Sequence, residues 1–166
     1  MKRRHLLMGG VAAAGLGACA PRSKFKTYNG PEVTYIVVNK QARQMYLFHQ
    51  DKILKEYVID LGFEPIGDKF FEGDGRTPEG NYTIDRRNPD SRFHLSLGIS
   101  YPNARDRAEA AALGKPPGGD IFIHGESNPF KRRREDWTWG CIAVTNREME
   151  DVYAMVRNGT PIQINP

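Results

Sequence analysis

Residues 121–145 read IFIHGESNPFKRRREDWTWGCIAVT, which is two short apolar runs joined by a polar loop. The first run ends at His124, and the second begins directly after Cys141. β-Branched and large apolar residues favour strands, so the pattern predicts two strands that carry an imidazole and a thiol at their ends. A cysteine nucleophile needs a base, and strand ends give both groups a rigid support. The segment therefore predicts a catalytic pair.

Cys141 also has a plainer structural explanation, because a free cysteine often serves as a small, inert core residue. Two glycines favour the catalytic interpretation. Gly140 precedes the cysteine and Gly125 follows the histidine, and glycine lets a substrate approach the backbone closely. In this interpretation His124 is the general base, since imidazole titrates near physiological pH.

The first 18 residues have the pattern of an export signal. A basic triplet at residues 2–4 precedes an apolar, small-residue run that is too short to span a bilayer permanently. The sequence LGAC at residues 16–19 resembles a bacterial lipobox. That resemblance implies cleavage before Cys19 and lipid attachment to it, and Ala20 after it implies the outer membrane of a Gram-negative cell. The arginine pair at residues 3–4 also resembles a twin-arginine signal, so the export route stays open.

Charge and cysteine count narrow the possible partners. The formal net charge is +4, but three cations lie in the first four residues, so the basic balance is poor evidence for nucleic-acid binding. With Cys19 lipidated, Cys141 would be the second of two cysteines and would lack a disulfide partner in an oxidising compartment. Two cysteines make no zinc pattern, and we expect neither a metal nor another cofactor.

The segments after residue 32 predict a mainly β domain. Turn residues separate short β-branched and aromatic runs, the capping residue Asn103 starts one short helix, and Thr145 with Glu148 forms a capping box for a second. Strands are predicted at 34–38, 44–48, 53–61, 82–84, 93–101, 121–123, 142–144 and 161–164. The sum is a β-sandwich with one or two peripheral helices.

The polar loop between the two runs offers further candidates. Its four consecutive cations at residues 131–134 form either a solvated surface or a site for acidic groups. Trp137 and Trp139 flank the cysteine and could form a wall of a cleft. Glu126, Asp136 and Asp120 could orient a catalytic group, and nothing in the sequence selects one of them.

These motifs resemble the signature of the L,D-transpeptidase (YkuD-like) family, which has a His-Gly step, a spacer, and a Ser/Thr-His-Gly-Cys stretch. Here the two motifs are IFIHG at 121–125 and TWGCI at 138–142, and TPEG at 77–80 resembles the family's Thr-Pro-x-Gly step. The resemblance covers about residues 34–164. The chain differs from the signature at Trp139, where a second histidine is usual, and at Ala143, where an arginine is usual. With the export signal and the non-periodic segment after it, the chain divides into a signal peptide at 1–18, a lipidated N-terminus and tether at 19–31, and an L,D-transpeptidase-like catalytic domain at 32–166.

The same resemblance implies acyl transfer through a thioester on peptidoglycan stem peptides. Cys141 would attack the diaminopimelate carbonyl of a tetrapeptide stem, with Gly125 orienting His124 and the N–H groups of Gly140 and Cys141 stabilising the oxyanion. Contacts with substrate are expected from Trp139, Thr138 and Arg134. The alternative is a hydrolase of the same family, which cuts cross-links or the murein–lipoprotein bond. A third hypothesis is a lipid-tethered module that binds peptidoglycan without chemistry. All three place the protein in the periplasm.

Overall fold

The computed structural model describes residues 22–126 and 135–166. The predictions for the signal peptide, for Cys19 and for Arg134 with its neighbouring cations lie outside these residues. The elements are β1 Tyr35–Asn39, β2 Gln44–His49, β3 Lys52–Val58, β4 Gly80–Asn88, β5 Ser96–Ile99, α1 Ala104–Ala112, β6 Phe122–His124, β7 Ile142–Ala143, α2 Asn146–Met155 and β8 Pro161–Asn165. Neither helix in these ranges is long and apolar enough to cross a membrane.

All eight strands belong to one curled sheet, in the order β3-β2-β1-β8-β4-β5-β6-β7. Neighbours are antiparallel except for β1 with β8 and β6 with β7. The long strand β4 belongs to both halves, because residues 80–83 pair with β8 while residues 84–88 pair with β5. The prediction of a mainly β, sandwich-like domain with peripheral helices is confirmed, and the two layers are halves of a single sheet.

The two edges of the sheet meet close to Cys141. Beyond β3, Asp60 exchanges two backbone hydrogen bonds with Ala143 of β7, at 2.9 and 2.8 Å. Next to this pair, the N–H of Thr138 donates to the carbonyl of Leu61, and the N–H of Phe63 donates to the carbonyl of Thr138. These bonds fix the segment 138–143 against the end of β3. The nucleophile candidate therefore lies at the seam where the curled sheet closes.

Alternating apolar residues of the strands and one face of α2 form the core. In β1, Ile36 and Val38 are fully buried while their neighbours are partly exposed, as expected for a half-buried strand. Helix α2 contributes Met149 and Val152, both fully buried. Its predicted capping box is present, since Thr145 accepts from the N–H of Glu148 and donates its own N–H to that carboxylate.

Residues 22–28, which the sequence predicts to be part of a tether, lie against the domain. Lys26 donates to Asp151 of α2 at 2.8 Å, and Lys24 donates to the carbonyl of His94 at 3.1 Å. The ring of Phe25 lies 6.4 Å from that of Tyr153. Ion pairs with a helix do not require hydrophobic periodicity in the segment, so the sequence pattern gave no indication of this docking.

Candidate active site

Strand register brings His124 and Cys141 to one face of the sheet. In the parallel pair β6–β7, Ile123 is opposite Ile142 and His124 is opposite Ala143. Cys141 therefore lies one register step before Ile142, across from Phe122. Side chains two residues apart on a strand point to the same face, so the imidazole and the thiol are diagonal neighbours on adjacent strands. This is the arrangement that two strand ends were predicted to provide.

His124 is held as a neutral base. Its side chain is almost completely buried, and its Nδ1 lies 2.6 Å from the carbonyl oxygen of Gly125. Because a carbonyl can only accept, Nδ1 carries the proton and Nε2 keeps its lone pair. Burial lowers the pKa of His124, and the Gly125 carbonyl only partly opposes that shift. Rings of Phe93 and Trp137 pack on the imidazole with centroids 4.4 and 5.6 Å away.

The carbonyl of Gly125 is itself fixed by packing and hydrogen bonds. The N–H of Gly125 donates to the carbonyl of Phe93 at 3.0 Å, and the N–H of Glu126 donates to Asn146 Oδ1 at 2.6 Å. A Cβ at Gly125 would lie 2.5 Å from that same oxygen of Asn146. Glycine is required here because of space. Its carbonyl contacts the imidazole, and its catalytic role in orienting His124 stays a prediction.

Cys141 is a protonated thiol in the resting structure. Its Sγ donates to the carbonyl oxygen of Asp120, 3.5 Å away. Burial raises the pKa of Cys141 to about 11, although the N–H of Phe122 and the charge of Lys69 act in the opposite direction. The carboxylate of Asp120 adds to the increase in that pKa. The sequence could not select Asp120 from the neighbouring acids, because its contact with the nucleophile is made by the backbone.

The turn that presents Cys141 depends on Gly140 and Thr138. Gly140 has φ +116°, and a Cβ there would lie 2.5 Å from the carbonyl oxygen of Arg76. The hydroxyl of Thr138 donates to the carbonyl of Cys141 at 2.7 Å and accepts from the N–H of Gly140 at 3.2 Å. Thr138 is buried, so its hydroxyl supports the turn. Its expected contact with substrate stays a prediction, as does the oxyanion role of Gly140, whose N–H is already used.

An ion pair with the turn between β1 and β2 supports this turn. Arg43, after β1, binds the carboxylate of Asp136 through Nε at 2.9 Å and Nη2 at 2.6 Å. The same carboxylate accepts the N–H of Leu61 at 3.0 Å, and Trp137 donates its Nε1–H to Asp60 at 3.2 Å. No local sequence signal identifies the pair, because its partners are 93 residues apart.

Trp139 lies at the surface next to the nucleophile. About three-quarters of it is exposed, and its ring meets that of Phe63 edge to face at 5.0 Å. Its expected contact with substrate stays a prediction. Across residues 22–126 and 135–166, no group of three or more His, Cys, Asp or Glu side chains is placed to hold a metal ion.

Comparison with known proteins agrees with the geometry. Residues 33–164 match the model of the YkuD family, described as the L,D-transpeptidase catalytic domain. YafK of Escherichia coli K12, which is provisionally named an L,D-transpeptidase, is 30% identical over 162 residues, covering 91% of this chain and 60% of that protein. YkuD of Bacillus licheniformis, named in the same provisional way, is 28% identical over 161 residues, covering 96% of this chain and 81% of that protein.

A solved structure gives the same result. The helical cell shape determining protein Pgp2 from Campylobacter jejuni superposes with a TM-score of 0.63 at 30% identity, covering 82% of this chain and 48% of that chain. This chain therefore spans about 60% of the length of the E. coli relative and about half of Pgp2. The match over most of the chain, with the His124 and Cys141 geometry, shows that the chain belongs to the YkuD family of L,D-transpeptidase catalytic domains.

Proposed function

We propose that this protein is a peptidoglycan L,D-transpeptidase that works through a cysteine thioester. The observation that carries the proposal is the position of Cys141 diagonally across adjacent strands from a neutral His124, whose Nδ1 faces the Gly125 carbonyl and whose Nε2 therefore keeps its lone pair. A partly buried thiol with a raised pKa is a poor nucleophile unless a base takes its proton during the attack. The neutral, oriented imidazole is the group that meets this need.

The first half-reaction forms the thioester. The thiol leaves the Asp120 carbonyl and gives its proton to Nε2 of His124 as sulfur attacks the diaminopimelate carbonyl of a tetrapeptide stem. Because the N–H of Gly140 is bonded to Thr138, we assign the N–H of Cys141 to the oxyanion. When the tetrahedral intermediate collapses, the C–N bond breaks, and the terminal D-alanine leaves as an amine that takes the proton from His124.

The second half-reaction regenerates the thiol. The side-chain amine of a second stem attacks the thioester carbonyl and gives its proton to His124. The C–S bond then breaks, and the thiolate recovers the proton from the imidazolium. The products are a new amide cross-link and the resting enzyme. His124 therefore serves as base and acid in turn, and the sequence places it within a motif that resembles the family's own.

A hydrolase is the second candidate, and one residue favours it. Ala143 is fully buried and pairs with Asp60, whereas the signature resembled by this chain has an arginine at that position. A guanidinium beside the nucleophile could anchor the carboxylate of an acceptor stem, and this chain has a methyl group there instead. Water needs no such anchor, so it could resolve the same thioester.

Purified muropeptides distinguish these outcomes. Dimers that form with loss of D-alanine identify a transpeptidase, whereas tripeptide monomers, or cross-links opened by addition of water, identify a hydrolase. Mass spectrometry separates these products directly. The matched control is Cys141→Ala, which should give no product while keeping the unfolding temperature of the wild type. Product formation by that variant would overturn the thioester mechanism, and a wild type that binds muropeptides without converting them would support a binding module.

We also propose that the protein is exported to the periplasm and anchored by lipid on Cys19, most simply to the outer membrane of a Gram-negative cell. The support is the order of basic residues, apolar run and lipobox-like LGAC in residues 2–19. Labelled palmitate should be incorporated into the wild type and not into Cys19→Ala. Equal labelling of the two proteins would refute the anchor without affecting the proposed chemistry.

A further inference from the structure

A cavity of about 460 Å³ lies beside the turn that carries Cys141. It is lined by Glu64, Phe70, Phe71, Asp74 and Arg76. Its volume lies in the range of small-molecule sites. One of its lining residues connects it to the turn, because the carbonyl of Arg76 packs against Gly140 and would lie 2.5 Å from a Cβ added there.

Two of the charged groups around this cavity are already fully used within the protein. Asp74 Oδ1 accepts from Lys69 Nζ at 2.7 Å and from the N–H of Arg76 at 3.0 Å, and its Oδ2 accepts from the N–H groups of Phe70 and Phe71. Lys69, which is buried, also donates to the carbonyl of Phe71. These bonds brace the loop, so neither group is available to a ligand.

The remaining two charges are available. Within residues 22–126 and 135–166, the Arg76 guanidinium makes no ion pair; its Nη1 has a long contact of 3.5 Å with the Asp68 carbonyl, and it lies over the ring of Phe70 at 5.7 Å. In the same ranges the exposed Glu64 carboxylate makes none either. The two residues lie side by side, because the N–H of Glu64 donates to the carbonyl of Gly75 at 3.1 Å. The cavity thus offers one cation, one anion and an aromatic surface.

We propose that this cavity selects a substrate side chain that ends in an ammonium and a carboxylate on the same carbon. The carboxylate would bind the planar fork of Arg76 and the ammonium would bind Glu64, while Phe70 packs on the methylene groups. The inference rests on the proposed function, because diaminopimelate in a stem peptide ends in this way. Lysine at the same position ends in an ammonium alone, so Arg76 is a specificity-determining residue and Glu64 is its partner for the amine.

The test compares three tetrapeptide stems that differ only at the third residue: meso-diaminopimelate, the same residue with its free carboxylate converted to an amide, and lysine. The readout is kcat/KM for D-alanine release. We expect the wild type to prefer diaminopimelate by about 10–50-fold over the other two. In Arg76→Ala, the value for diaminopimelate should fall to the level of lysine, while the lysine value changes less than about twofold.

Glu64→Gln should behave differently, because all three peptides carry the ammonium. It should lower kcat/KM for all three by a similar factor, about 5–10-fold. Arg107→Ala and Glu56→Gln remove the same charges from exposed positions on α1 and β3, and both controls should retain the wild-type preference. Unfolding temperatures of all variants should match the wild type, since the backbone bonds of Arg76 do not involve its side chain.

Two results would overturn the selection proposal while leaving the proposed function intact. One is equal turnover of the three peptides by the wild type, and the other is an equal loss on all three in Arg76→Ala. If no peptide releases D-alanine, the proposed function fails instead. In that case the selectivity of the cavity is tested by calorimetry, with the three peptides titrated into Cys141→Ala and into the double variant Cys141→Ala, Arg76→Ala. A preference for diaminopimelate that is present in the single variant and lost in the double variant supports the selection proposal. Absence of that preference in Cys141→Ala refutes the selection proposal.

Discussion

Replacing Thr138 with valine tests whether the nucleophile turn is held by a single hydroxyl. Valine keeps the shape of threonine and removes only its polar group. The backbone bonds of residue 138 to Leu61 and Phe63, at 3.1 and 2.9 Å, do not depend on the side chain and should survive. The variant therefore loses the two bonds that the hydroxyl makes, to the N–H of Gly140 and to the carbonyl of Cys141.

The expected size of the effect follows from these two bonds. Each buried hydrogen bond contributes about 1 kcal/mol net, and a buried group left without a partner costs roughly 1–3 kcal/mol. Thr138→Val should therefore lower the free energy of unfolding by about 3 kcal/mol. For a domain of this size that corresponds to a decrease of roughly 6–12 °C in the unfolding temperature. Because a displacement of about 1 Å at a reacting group can cost 100-fold in rate, kcat should fall by about 10–100-fold.

Steady-state kinetics distinguish support of the turn from contact with substrate. Support predicts a lower kcat with an unchanged KM, whereas a substrate contact predicts a raised KM. Thr138→Ser is the matched control, since it keeps the hydroxyl and removes one methyl group, so its kcat should stay close to that of the wild type. Wild-type kcat and stability in Thr138→Val would refute the reasoning, and a change confined to KM would return Thr138 to its predicted role at the substrate.

Three further predictions follow from the same site. In a Cys19→Ala variant, the rate at which iodoacetamide alkylates Cys141 should rise about tenfold for each pH unit between roughly 7 and 10. The reason is that only the thiolate reacts and burial raises the pKa of the thiol to about 11. A rate that reaches a plateau below pH 8 would instead show a thiolate–imidazolium pair at rest. Gly140→Ala should abolish turnover and destabilise the domain by about 2–4 kcal/mol in urea, because a Cβ would meet the Arg76 carbonyl at 2.5 Å in a left-handed conformation; normal activity would contradict this geometry. Burial by itself would raise the pKa of Asp74, but the hydrogen bonds that its carboxylate accepts bring that pKa below the usual value. The ionised Asp74 therefore stabilises the folded state above about pH 4, and this contribution is lost as the pH falls through the lowered pKa. Asp74→Asn should therefore be less stable than the wild type at pH 7 and lose less stability between pH 7 and 3, and parallel pH profiles would refute this assignment.

Local signals account for what the sequence predicted well. The capping box of Thr145 and Glu148 needs only residues within one helical turn, and alternation in β1 is visible within five residues. The apolar runs ending at His124 and beginning after Cys141 were enough to predict the two strands. The strand predicted at 93–101 is shorter in the structure, where β5 begins at Ser96, because Phe93 leaves the ladder and packs on the imidazole. The strands predicted at 53–61 and 142–144 likewise end earlier, at Val58 and Ala143.

Long-range contacts account for what the sequence did not reveal. The Arg43–Asp136 pair and the contact of Lys26 with Asp151 of α2 join residues that are 93 and 125 positions apart. Their partners are chosen by the closure of the curled sheet, which places segments distant in sequence side by side. A polar loop residue has the same local pattern whether it is solvated or paired, so only the fold distinguishes the two.

The resting protonation of the pair has a consequence if the proposed export to an oxidising compartment holds. Oxidation of cysteine and attack on a carbonyl both proceed through the thiolate, and burial of Cys141 keeps the thiolate population very small when no substrate is bound. A permanent thiolate–imidazolium pair would make the site reactive towards oxidants as well as substrates. A neutral thiol bonded to the Asp120 carbonyl instead becomes nucleophilic only when a carbonyl is close enough for proton transfer to His124 to accompany attack. The low reactivity expected of the free site and the chemistry proposed on a bound peptide therefore have the same physical origin, which is the desolvation of both groups at the seam of the sheet.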